Sequence, residues 1–185
     1  MRIVAGKYRG LRLQVPAGRD IRPTSDKVRG AVFNALEARG AVVDAQVLDC
    51  FCGTGALGLE ALSRGAEFCA FWDKDQRSLD LAKANAESLE VMDRCAFIKR
   101  DAARPSDAPQ DQKYSLVFLD PPYRKNLTAP VLKALSEHGW LADDAICVLE
   151  IEKEYDLDMS AAFTLQLEKI YGDTKILFTS YTNKS

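Results

Sequence analysis

Asp120, Pro121, Pro122 and Tyr123 stand together directly after the apolar run from Tyr114 to Leu119. A run of that length reads as a buried strand, and the two prolines close it with a rigid turn. Proline has a fixed φ and no N–H, so the turn is locked while the carbonyls of Asp120 and Pro121 stay available as acceptors. Converging acceptors beside an aromatic ring suit a planar group carrying an exocyclic NH2, such as adenine or guanine. The tetrapeptide therefore points to a nucleobase amine as substrate. A stiff turn with no further role is the plain alternative.

A second cluster lies upstream. Val47 to Gly58 runs from a strand into a glycine turn and then a helix, and Gly53, Gly55 and Gly58 satisfy the dinucleotide-binding spacing. The context strengthens a weak motif, because an acid, Asp73, ends the next predicted strand, where it can bind a ribose. Two ligand classes fit, a nicotinamide dinucleotide and S-adenosylmethionine. Asp49 favours the second, since a carboxylate at the mouth of the turn repels a pyrophosphate but can pair with the amino group of a sulfonium ligand. Asp101, after Phe97 to Arg100, stands where a carboxylate could accept from an adenine amine, or where it could simply cap a loop. The only histidine, His138, precedes Gly139 at a predicted helix end and reads as a cap or surface residue.

The elements that must position these residues alternate. Strands are predicted near 46–51, 67–73, 95–99, 114–120 and 145–151, with helices near 56–64, 75–89 and 127–138, which argues a parallel sheet covered by helices. Thr24 or Ser25 can cap an earlier helix with Val28, Val32, Phe33 and Leu36 on its apolar face and Gly40 as its stop. Two strand-like runs, 163–170 and 174–181, are joined by Tyr-Gly-Asp and predict an antiparallel hairpin. Residues 102–112 put a polar loop where a crossover helix is expected.

A chain of 185 residues with 47% hydrophobic content fits one compact domain. No apolar stretch approaches the roughly 20 residues of a membrane span, and Met1 to Lys7 lacks the apolar core of a signal peptide, so a cytoplasmic protein is expected. Five cysteines, Cys50, Cys52, Cys69, Cys95 and Cys147, are scattered without a metal-binding spacing and read as reduced core residues. No metal is expected. The formal charge of −2 hides an asymmetry: residues 1–30 hold eight basic and two acidic residues, +6 in all, leaving −8 on the rest. A basic arm on an acidic body fits docking on phosphates, a solvated face being the alternative. Tyr8 and the glycines at 6, 10 and 18, with the alternation Leu11, Leu13, Val15, favour a twisted hairpin over a loose tail.

At this level of detail the chain resembles a known family, the bacterial small-subunit ribosomal RNA methyltransferases of the D group, which methylate guanine N2 in 16S rRNA. The resemblance is carried by the opening Arg2 to Leu13, by Arg22-Pro23-Thr24 and Val28-Arg29 running into Phe33 to Leu36, and by Leu48 to Ala66. Asp120 to Tyr123 and Tyr171 to Thr174 complete it. Asp73 stands where the family usually has Glu, and Gly30 where Glu is also usual. The resemblance implies a Rossmann-like, class I S-adenosylmethionine-dependent methyltransferase of α/β class. Its sheet would be mostly parallel and seven-stranded, with the antiparallel hairpin at the C-terminal end and a small basic hairpin at the other. Residues 1–23 would form the RNA-contacting extension and 24–185 the methyltransferase domain. The cofactor would lie among Asp49, Phe51, Gly53, Thr54, Gly55, Asp73, Lys74, Asp101 and Ala102. Asp120, Pro121, Pro122 and Tyr123 would hold the base, and Arg2, Lys7, Arg9, Arg12, Arg22 and Arg29 would contact RNA. The partner would be 16S rRNA in the small ribosomal subunit or an assembly intermediate, met by a monomer.

Three rivals remain at the level of sequence. An adenine-N6 methyltransferase of DNA or RNA also uses an Asp-Pro-Pro-Tyr type motif, but on DNA it normally needs a target-recognition domain for which 185 residues leave little space. A nicotinamide-dependent oxidoreductase leaves Asp120 to Tyr123 and the basic arm unexplained. A catalytically silent RNA-binding module would not need the complete motif set.

Overall fold

The structure, a computed structural model, describes residues 1–16, 25–122 and 126–183. The elements run α1 (Asp26–Glu37), β1 (Gln46–Cys50), α2 (Ala56–Ser63), β2 (Phe68–Asp73), α3 (Gln76–Ser88), β3 (Cys95–Lys99), β4 (Tyr114–Leu119), α4 (Thr128–Glu137), β5 (Leu141–Glu152), β6 (Phe163–Tyr171) and β7 (Thr174–Tyr181). They form one seven-stranded sheet in the order β3-β2-β1-β4-β5-β7-β6. The first five strands are parallel neighbours, while β7 runs antiparallel to β5 and β6 antiparallel to β7. The expected α/β architecture and terminal hairpin are both present. β5 is longer than its apolar run, starting at Leu141 because Tyr114 pairs with that residue across an irregularity in register.

The central strands β1, β2, β4 and β5 are buried on both faces, which is why they read as apolar runs and not as alternations, whereas the edge strand β6 is largely exposed. One face, with Val47, Phe71, Phe118 and Val148, packs under α1, α2 and α3; the other, with Leu48, Trp72, Leu119 and Leu149, packs under α4. Ser25 caps α1 by accepting from the Val28 amide at 3.2 Å, and Thr24 lies outside the described residues. The loop 102–112 lies on an aromatic slab in place of a helix. Trp140 meets Trp72 edge-on at 4.8 Å, and the Arg100 guanidinium sits 4.6 Å from the Trp72 ring centre. The loop is fastened by Trp140 Nε1 donating to the Ser106 carbonyl at 2.8 Å, and by His138 Nδ1 at 2.6 Å from Asp107. His138 is thus both the α4 cap and a loop fastener. The cysteines are free thiols, all buried except the half-buried Cys95.

The strand order reverses direction between β1 and β4. A crevice forms outside the carboxyl ends of strands at such a switch point, which is where ligands bind in open α/β sheets. Both sequence motifs end there.

Candidate active site

Following β1, the chain turns through positive φ at Phe51 (+62°), Gly53 (+52°) and Gly55 (+77°) before α2 begins. A phenylalanine in the left-handed region costs about 1–2 kcal/mol, so this turn is held by its surroundings. Cys52 N–H donates to the Trp72 carbonyl at 3.0 Å and Gly53 N–H to Asp73 Oδ2 at 3.2 Å, tying the loop to the end of β2. Helix α2 then descends tightly onto β2. A Cβ on Gly58 would lie 2.4 Å from the Phe71 ring and 2.5 Å from Cys69 Sγ, so only glycine permits this approach.

Gly55, the residue at the α2 N-cap, has no side chain to cap the helix. Asp49 does so from β1, accepting from Gly58 N–H at 2.9 Å. Its carboxyl is almost fully buried, and no cation pairs with it among the described residues. Burial pushes its pKa up to about 8, with nearby Asp73 adding to the rise and the Gly58 hydrogen bond opposing it. Part of Asp120 reaches solvent, yet its carboxyl sits among buried neighbours. That burial, then Glu150, then Asp49, pushes it well above the usual carboxylate range. Two raised carboxyls thus stand at the ends of the adjacent strands β1 and β4, paired in register Cys50 to Leu119.

The remaining predicted cofactor residues divide. Asp73 is half-buried and its Oδ1 also takes the Asp75 amide at 2.9 Å, but each oxygen keeps a second lone pair for a hydroxyl. Asp101 is exposed and accepts from Ala103 N–H at 3.0 Å, the local turn role named as its alternative. Lys74 is exposed. Thr54 and Ala102 turn inward: Thr54 Oγ1 lies 3.5 Å from Met1 Sδ, and Ala102 packs in the α4-side core. Only their main chains are left to face a ligand. Pro121 is buried and Pro122 exposed, while Tyr123 lies outside the described residues.

The basic segment is a strapped turn. Arg2 and Arg12 form a single antiparallel bridge, and Ile3 and Leu13 enter the core while Leu11 and Val15 stay exposed. The expected alternation therefore holds for Leu13 alone. The strap is welded to α2. Glu60, fully buried, accepts from the Val4 and Ala5 amides at 2.8 and 3.0 Å. Ser63 accepts from Lys7 N–H through its carbonyl at 2.8 Å and from Tyr8 N–H through its hydroxyl at 3.0 Å. Gly6 passes so close that a Cβ would sit 2.0 Å from the Ser63 carbonyl oxygen. Gly30 has a similar logic, since a Cβ there would press on Val4 at 3.3 Å.

Arg2, Lys7, Arg9 and Arg12 are exposed, Arg2 with an ion pair to Asp26 at 3.3 Å. Arg22 lies outside the described residues. Arg29 is corrected: it is 1% exposed, with Nε 3.5 Å from Glu60 and Nη2 2.9 Å from Asp26, so it braces the strap and cannot reach RNA. Sequence reasoning missed three buried polar residues, Glu60, Arg64 and Asn85. Asn85 exchanges hydrogen bonds with Gln14 at 2.7 and 3.1 Å and donates to the Thr54 carbonyl at 2.9 Å, joining the strap to the glycine turn. Its signal was position: it falls between Ala82 and Leu89 on the apolar face of α3.

A seven-stranded sheet with this order, a glycine turn after β1 and an Asp-Pro-Pro turn after β4 defines a Rossmann-like class I methyltransferase. The family described as conserved hypothetical protein 95 matches residues 1–180. Ribosomal RNA small subunit methyltransferase D of Escherichia coli K12 is 38% identical over 173 residues, covering 93% of this chain and 85% of that one. Its counterpart from Haemophilus influenzae is 35% identical over 182 residues, covering 93% and 89%. The solved structure of the E. coli protein yhhF superposes with a TM-score of 0.86 at 33% identity, covering 98% of both chains. The chain belongs to the ribosomal RNA small subunit methyltransferase D family. The expectation of a small-subunit rRNA methyltransferase stands.

Proposed function

We propose that this enzyme transfers a methyl group from S-adenosylmethionine to the exocyclic N2 amine of a guanine in 16S rRNA. The observation that carries the reading is the meeting of Asp49 and Asp120 at the switch point, Asp49 buried and Asp120 half-buried, each with a raised proton affinity and neither in an ion pair among the described residues. A buried acceptor of this kind suits a cationic ligand and disfavours a pyrophosphate, which weighs against a nicotinamide dinucleotide. A neighbouring structure solved with S-adenosylmethionine bound, a magnesium protoporphyrin IX methyltransferase, shares the fold at 20% identity and a TM-score of 0.64.

When bound, S-adenosylmethionine would supply a sulfonium-activated methyl group. Asp49 would hold its amino group, Asp73 its ribose hydroxyls and Asp101 its adenine amine, with the main chain of Phe51, Gly53, Thr54 and Gly55 forming the wall. The guanine amine is a poor nucleophile because its lone pair is delocalised into the ring. Asp120 and the Pro121 carbonyl would accept its N–H bonds, orient that lone pair and stabilise charge as it develops. Tyr123 would stack on the base, worth roughly 1–3 kcal/mol. A loop guanine costs least to unstack, so a single-stranded loop is the fitting target.

Arg2, Lys7, Arg9 and Arg12, with Arg22, would grip RNA phosphates. The strap tip lies at the Ser63 end of α2, about 12 Å from the glycine turn, while its base, Met1 and Gln14, reaches Thr54, so the cations would follow the RNA from the site outward. The proposed partner is the small subunit or its assembly intermediate, met in the cytoplasm by a monomer. The test is nucleoside mass spectrometry of unmodified small subunits incubated with the enzyme and S-adenosylmethionine. N2-methylguanosine is expected; N6-methyladenosine would move the assignment to the adenine class.

A further inference from the structure

We propose that Glu150 reads the N1–H of the target guanine beside the amine held by Asp120, and so sets the preference for guanine over adenine. The inference rests on the guanine-N2 reading above and deepens it.

Three observations place Glu150 there. In the parallel β4/β5 pair Leu119 stands opposite Leu149, so the next residues on each strand, Asp120 and Glu150, are neighbours at the carboxyl ends. Strand side chains alternate, and two residues earlier Phe118 and Val148 both enter the core beneath α1, α2 and α3; Asp120 and Glu150 therefore leave their strands toward the same face. Glu150 also lines a small cleft with Pro121, Pro122, Asn126, Thr128 and Tyr155. That cleft holds about 30 Å³, room for a water and not a purine, so it does not hold the base itself. The side chains also sense each other, since after burial the charge of Glu150 is the largest influence raising the proton affinity of Asp120.

The chemistry follows from the purine edge. Guanine presents N1–H and the N2 amine side by side as donors, and an ionised carboxylate only accepts. Asp120 with the Pro121 carbonyl accounts for the amine, and Glu150 for the adjacent N1–H. Adenine presents a bare N1 lone pair, which would face a carboxylate without a proton between them. The site thus repels the wrong base as well as holding the right one.

The test uses small-subunit particles carrying unmodified 16S rRNA with either guanine or 2-aminopurine at the methylated position. 2-Aminopurine keeps the amine at C2, but its N1 is an acceptor. The readout is the ratio of kcat/KM for the two bases, taken within one enzyme so that any inactive fraction cancels. Glu150→Gln, whose amide can donate to N1, is expected to shift the ratio toward 2-aminopurine by about tenfold, with S-adenosylmethionine affinity unchanged. Glu150→Ala, run in parallel, is expected to shift it in the same direction, so the ratio is readable from whichever variant folds. A wild-type ratio in both variants would overturn the role of Glu150 while leaving N2-methylguanosine formation intact. Absence of N2-methylguanosine from the wild-type reaction would overturn the guanine reading and this inference with it.

Discussion

Glu60 and Asp49 are both buried carboxyls on the same face of the sheet, eleven positions apart in sequence, and they are treated in opposite ways. Glu60 receives two backbone amides and the side chains of Arg64 at 2.8 Å and Arg29 at 3.5 Å. Asp49 receives one amide, and Asp120 near it has a second carboxylate for a neighbour. A buried charge surrounded by donors belongs to the architecture, because removing it strands its partners. A buried carboxyl short of donors is unfavourable until something cationic or donor-rich arrives. Within 20 kDa the fold thus holds one saturated carboxylate that builds it and a starved pair that binds.

The largest effect is expected at Glu60. Glu60→Ala strands the Val4 and Ala5 amides and leaves Arg29 with Asp26 and Arg64 with Glu37 as their remaining anions, and about 3–5 kcal/mol of stability should be lost in denaturant unfolding. Asp120→Ala should do the reverse. Turnover on small subunits should fall on the order of a hundredfold, while S-adenosylmethionine affinity by calorimetry and the melting temperature stay at or above the wild-type values. Equal loss of fold and activity in Asp120→Ala would erase the distinction.

Asp49 sharpens the contrast through pH. Its pKa in the folded protein is raised to about 8 from the ordinary 3.8, so between these values the folded state holds a proton there that the unfolded state has released. Stability from this group is full below pH 4 and is lost as pH rises through 8. Melting scans of the free protein should show that decline, and Asp49→Asn should flatten it. Affinity for S-adenosylmethionine should rise across the same window, as the carboxyl gains the charge that pairs with the ligand's ammonium. The smallest effect is expected on the strap. Arg9→Ala with Arg12→Ala should weaken RNA binding and lower its salt slope by roughly one and a half to two, leaving cofactor affinity unchanged.

Arg29 shows where sequence reading went astray. Charge alone groups it with the strap's cations, yet it lies four residues before Phe33 and seven before Leu36, on the buried face of α1. Periodicity carried the information, and charge outweighed it. Glu60 was harder to recover, because α2 is apolar nearly all round and is buried almost throughout, so the helix shows no polar face from which an inward Glu would stand out. Asp101 was legible as a turn residue, and its turn bond to Ala103 is present.

Local rules were enough for the alternation of strands and helices, the glycine turn, the Asp-Pro-Pro stop and the closing hairpin, since each depends on periodicity or backbone freedom within a few residues. Which carboxyl is saturated and which is starved depended on residues brought from 30 to 71 positions away. Glu60 meets Val4 and Ala5, Asn85 meets Gln14, and Asp120 meets Glu150 only after the sheet has formed. Burial multiplies the effect of each such neighbour on a charge, so the electrostatics of the site exist only in the folded chain.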